Sequence, residues 1–168
     1  MSSSGRITKL KLKIAEAFNN VKLKNEIVIE HDCDECWELD KTFSEFKSWK
    51  EVPKDAIVAN YNKLSFFNSE AFHCFLPAYL LYALDHTNEF DEVYDFCCYG
   101  FMLRENESAG QIQWKKERYL YFNEIQLKLV SDFIDVAIEN EDFEDFIAQL
   151  KRGKNLINEI IKNKTNDC

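Results

Sequence analysis

Between Ala71 and Leu84 the chain reads AFHCFLPAYLLYAL, an almost unbroken apolar run. It is too apolar to lie in water and falls short of the roughly 20 residues that cross a bilayer, so it belongs at the centre of a folded core. Its composition allows a helix. Pro77 interrupts that reading, because proline lacks an amide hydrogen and clashes with the preceding turn. The run therefore predicts either a kinked buried helix or two helices broken at Pro77. Asn68-Ser69 supplies a cap in front of it, with Glu70 in the first turn.

The remaining segments organise around this core. With only four Gly and two Pro, the chain lacks the turn residues of a typical β-sandwich. Ile7, Leu10, Ile14, Ala17 and Phe18 recur at helical spacing. Ile27-Val28-Ile29 is β-branched and reads as extended chain or a very short strand. Asp32 or Asp34 can cap a helix carrying Cys36, Leu39 and Phe43, and Pro53 suits the first turn of a short helix through Asn60. Residues 90–102 fit a helix or a strand equally. Tyr119 to Phe122 allows a short strand.

Asn123 caps a helix to about Asn140, with Ile125, Leu129, Val130, Phe133, Ile134 and Ala137 inward. A last helix uses Phe143, Phe146, Ile147, Leu150, Ile157, Ile160 and Ile161, and Gly153 weakens it by roughly 1 kcal/mol relative to alanine. The expectation is a mainly α, bundle-like single domain over residues 1–168, with at most a minor β element. Residues 1–5 are expected to be a disordered start, 104–117 a polar loop, and 141–164 a carboxy-terminal helical extension.

The formal net charge of −9 opposes phosphate backbones and excludes nucleic acid as the expected partner. No segment reads as a secretory signal or a membrane span, so the expected place is the cytoplasm, with the six cysteines as reduced thiols. Acidic residues concentrate in Glu30 to Glu45 and again in Asp132 to Asp145. Solvated helix faces account for most of that, yet both blocks are candidate surfaces for a basic protein. In the first block, Asp34, Glu35, Trp37, Glu38 and Asp40 are the candidate partner-binding residues, with Trp37 as the aromatic anchor.

His31-x-Cys33-x-x-Cys36 is the most distinctive chemical pattern. Imidazole and thiolates are good zinc ligands, and the C-x-x-C spacing lets two sulfurs reach one ion. The fourth ligand would come from His73, Cys74, Cys97 or Cys98. The plainer reading is a helix start with two half-buried thiols, and no cofactor is expected on that reading. A redox pair needs strand and helix alternation that the chain lacks. No nucleotide loop, nucleophile elbow or H-E-x-x-H pattern is present, and there is no catalytic signature to assign.

His31 to Leu39 (HDCDECWEL), Trp49 to Pro53 (WKEVP), Leu64 to Leu84 with its L-P-A-Y segment, and Asn123 to Gln126 together resemble a family of small bacterial proteins sharing these motifs, to which no activity is attached. The resemblance covers roughly residues 7–140, with the last helix as an addition. It implies a bacterial cytosolic protein and draws weight to His31, Cys33, Glu35 and Cys36, and to Leu76, Pro77, Ala78 and Tyr79.

The function these features point to is a non-enzymatic interaction module, of the immunity or inhibitor type, that masks a basic partner. The alternative is a zinc-binding or thiol-dependent protein centred on His31, Cys33 and Cys36.

Overall fold

The structure is a computed structural model describing residues 3–25, 28–29, 34–87 and 90–166. Eight α-helices are found among the described residues, and no strand. They are α1 (Ser3–Ala17), α2 (Asp34–Phe43), α3 (Lys54–Ala59), α4 (Ser69–Asp85), α5 (Glu92–Phe101), α6 (Ala109–Glu117), α7 (Glu124–Asn140) and α8 (Glu144–Asn166). Single 3₁₀ turns lie at Trp49–Glu51 and Leu64–Phe66.

The central apolar run is one helix. α4 passes through Pro77 without a break. The Asn68 side chain caps it by accepting from the Ala71 amide at 2.8 Å. An internal proline costs a helix about 3 kcal/mol. Here Leu76, Tyr79, Leu80, Ala83 and Leu84 are all buried, so packing holds the helix together. α1, α3 and α5 pack against α4, α7 lies across α1, and α8 runs back along α7.

α5 is a helix because Val93, Cys97 and Phe101 recur at a four-residue interval on its buried side, and Asp91 caps it through the Tyr94 amide. Residues 104–117 are not a loop throughout. Ser108 and Gln111 form a reciprocal capping box, and α6 follows from Ala109. Tyr119 to Phe122 is turn rather than strand. The first helix begins at Ser3, inside the expected disordered start. Val28 and Ile29 join no sheet. The Val28 amide donates to Asp40 Oδ1 at 3.0 Å and its carbonyl accepts from Asn68 at 2.8 Å. Ile27 lies outside the described residues.

α8 is part of the body of the fold. Leu150 and Ile157 are buried in the main core, and α8 packs on α7 and α5. Gly153 is buried where the chain leaving α5 crosses α8, and there the Leu103 amide donates to the Gln149 carbonyl at 3.1 Å. Ile125 and Phe143, expected on inner faces, are exposed. Ile125 lies in the first turn of α7, and Phe143 lies just ahead of α8.

Candidate functional surfaces

α2 arises from a short amphipathic pattern. Cys36, Leu39 and Phe43 turn inward, with Asp34 and Glu35 in the first turn and Lys41 in the last. Phe43 locks the helix by packing edge-on against Phe46, Phe67 and Phe75. The outer face carries Asp34, Glu35, Trp37 and Glu38, all exposed. Trp37 is 67% accessible, with Lys41 Nζ 5.5 Å from its ring centroid. Glu35 pairs with Lys63 at 2.6 Å. Asp40 departs from the expected surface: it is half-buried and its carboxylate is used on the Val28 amide.

His31 and Cys33 lie outside the described residues, so the His-x-Cys-x-x-Cys arrangement is not described. Cys36 is buried on α2. No group of three or more His, Cys, Asp or Glu able to hold a metal ion occurs among the described residues. The other four candidate ligands have surroundings of their own. Cys97 and Cys98 sit in the core on α5, and the Cys74 thiol donates to the Lys47 carbonyl at 3.7 Å. Burial raises the pKa of all three thiols, to about 12 for Cys74 and Cys98.

His73 sits among Phe18, Tyr121 and Phe122. Its Nε2 lies 2.9 Å from Gln126 Oε1. The Gln126 amide nitrogen donates to the Ala17 carbonyl, and its oxygen also accepts from the Asn123 amide. Nε2 of His73 is therefore the donor, and one buried glutamine ties α1, α4 and the start of α7 together.

Two features escaped the sequence reading. The first is a row of aromatic rings on the surface. Tyr61 meets Phe96 at 5.0 Å, Phe96 meets Tyr99 at 5.6 Å, Tyr99 meets Phe146 at 5.7 Å, and Phe146 meets Phe143 at 5.8 Å. Phe96, Tyr99 and Phe143 remain 40%, 43% and 69% accessible. The row is edged by acid. Asp91, Glu141 and Glu92 all act on Asp95, whose pKa rises through burial first and their repulsion second. Asp95 and Glu141 also act on the Tyr99 phenol. The sequence held the signal in two i, i+3 aromatic pairs, Phe96 with Tyr99 and Phe143 with Phe146, but not their meeting.

The second is Arg118, at the end of α6. It is buried, and its guanidinium donates to the carbonyls of Leu64 at 2.6 Å, Ser65 at 2.9 Å and Phe67 at 3.4 Å. It stacks on Phe72 at 3.9 Å and Trp114 at 4.7 Å. No carboxylate among the described residues lies within 4.0 Å of it. Desolvation lowers its pKa to about 10.

A family model, the family of unknown function DUF6714, matches residues 7–156.

The chain belongs to the DUF6714 family. The match takes in every helix from α2 to α7, most of α1 and the first half of α8, so the family pattern runs past residue 140 into the helix expected to be an addition. No curated protein and no solved structure matches the chain. No helix among the described residues is long and apolar enough to cross a membrane.

Proposed function

We propose that this DUF6714 protein is a non-enzymatic interaction module that captures a basic protein partner, as an immunity-type or inhibitor protein would. The observation that carries the reading is the surface row from Tyr61 to Phe143, with Asp91, Glu92, Asp95 and Glu141 beside it. Rings held in mutual contact yet open to solvent cost hydration, and such patches on a folded chain serve as anchors for a partner. Crowded carboxylates at their edge are relieved by a cationic surface and speed its approach. The acidic face of α2, with Trp37 exposed among Asp34, Glu35 and Glu38, extends the same complementarity. Glu35 binds Lys63, two residues beyond Tyr61 in the chain, which brings the two surfaces close.

The test has two stages. A photo-crosslinking residue is placed at Phe143 and, as a control, at exposed Leu12 on α1. The reading expects one dominant adduct in the native host at position 143 and none at position 12. With that partner purified, Asp95→Lys with Glu141→Lys should slow association by about tenfold and flatten its salt dependence. Asp34→Lys with Glu38→Lys measures the share of α2. Equal crosslinking at both positions, or association kinetics untouched by all four reversals, would overturn the proposal.

A further inference from the structure

On the side of the aromatic row facing α6 lies an open cleft of about 500 Å³, within the size range of small-molecule sites. Tyr99, Trp114 and Phe146 give it three aromatic walls, and Arg104, Gln111 and Lys115 supply donors. Trp114 keeps 45% of its surface accessible even with Arg118 stacked on it. The charge here runs against that of the whole chain. Arg104 and Lys115 face a single carboxylate, Glu107, inside a protein of net charge −9. Glu107 accepts the Arg104 backbone amide at 3.3 Å.

Lys115 is the key residue. Its side chain is half-buried, and its ammonium donates to the Gly100 carbonyl at 3.4 Å. No carboxylate among the described residues lies within 4.0 Å of it. Arg118, stacked on Trp114, is satisfied by carbonyl dipoles, with no carboxylate among the described residues within 4.0 Å. A half-buried ammonium whose one carboxylate neighbour in the cleft, Glu107, acts on it from beyond ion-pair distance is an unfavourable arrangement that an incoming anion relieves. We propose that this cleft binds a small aromatic carboxylate, its ring between Trp114, Tyr99 and Phe146 and its carboxylate on Lys115. A bare inorganic anion would leave the three rings unused, and a neutral ring would leave the ammonium unmet. Burial lowers the Lys115 pKa, Glu107 only partly offsets this, and Arg118 and Arg104 add to it.

The probes are 2-naphthoate, its neutral amide 2-naphthamide, and inorganic phosphate, added to the full chain without any protein partner. The outcome is thus independent of the docking reading, although Tyr99 and Phe146 belong to both surfaces. The readout is the indole N–H signal of Trp114 in nitrogen-15 correlation spectra, separated from Trp37 and Trp49 by Trp→Phe variants. Naphthoate should shift the Trp114 signal saturably and leave Trp37 unmoved. The amide should bind about tenfold more weakly, and phosphate should not shift the signal. Lys115→Gln should weaken naphthoate by about tenfold and leave the amide unchanged, with an otherwise native spectrum. Equal binding of acid and amide, insensitivity to Lys115→Gln, or no Trp114 shift at about 5 mM naphthoate would each overturn the proposal.

Discussion

A methyl group on Gly153 would overlap the backbone carbonyl oxygen of Phe101 and lie 3.0 Å from its carbonyl carbon. α8 and the end of α5 touch backbone to backbone at this point, and only a residue without a Cβ leaves room. Alanine normally improves a helix interior over glycine by about 1 kcal/mol. Here the overlap reverses the sign. Gly153→Ala should destabilise the protein by about 2 kcal/mol or more, seen as a lowered urea midpoint. A variant as stable as the parent would mean that the two backbones separate freely.

Arg118 should be hard to replace. Arg118→Met keeps bulk against Phe72 and Trp114 but leaves the carbonyls of Leu64, Ser65 and Phe67 without their donor. A loss of about 2–4 kcal/mol is expected in chemical denaturation. Arg118→Lys should recover little, because an ammonium cannot span three carbonyls as a planar fork does.

Acid should destabilise the fold in two stages. Burial lowers the His73 pKa below its ordinary 6.5, with the Gln126 hydrogen bond and Glu70 only partly offsetting it. The unfolded chain then binds the proton more tightly, so stability falls once pH drops below about 6.5 and stops falling below the lowered folded value. Glu70 acts at lower pH. Burial raises its pKa, but hydrogen bonds from the Lys24 and Asn25 amides and the Asn25 side chain outweigh this and hold it below the ordinary 4.5. Its stabilisation is present above about 4.5 and is lost as pH falls through the lowered value. His73→Gln should remove the upper stage and keep the lower one, read from denaturation midpoints across pH.

The cysteines of α4 and α5 should be unreactive in the native state. Cys74, Cys97 and Cys98 are buried and their thiols are pushed up, so iodoacetamide at pH 8 should leave all three unmodified until denaturant is added. Peptide mass spectrometry resolves the sites. Rapid alkylation of Cys97 or Cys98 without denaturant would show that α5 detaches from the body of the fold.

Much of this fold was legible locally. The run from Ala71 to Leu84 declared the core, and Asn68, Pro53 and Asn123 marked helix starts that the structure keeps. α6 does not show in the periodicity because Ile112 and Trp114, its only large apolar residues, form no helical stripe. Only the Ser108 to Gln111 capping spacing announced it, and no apolar stripe supported it. Gly153 was read as a weak point in a helix, whereas its reason lies in a neighbour about fifty residues away in the chain. The same limit hid the aromatic row. Its rings come from the turn after α3, from α5 and from the start of α8, and sequence periodicity describes each element without saying which will meet. For α2, spacing placed Trp37 outward correctly among acids, but the use of Asp40 on the Val28 amide is a tertiary fact.

The Gln126 to Ala17 hydrogen bond also bears on how the chain is made. Its two ends are separated by 109 residues, and α1 packs on both α4 and α7. During synthesis at about 5–20 residues per second, α1 therefore waits roughly 5–20 s before α7 exists to cover it. Through that interval Leu10, Ile14 and Phe18, all buried in the finished fold, lack part of their burial site. The nascent chain is thus most exposed to aggregation early, and Arg6, Lys9, Lys11 and Lys13 give its first helix a charge that keeps neighbouring chains apart.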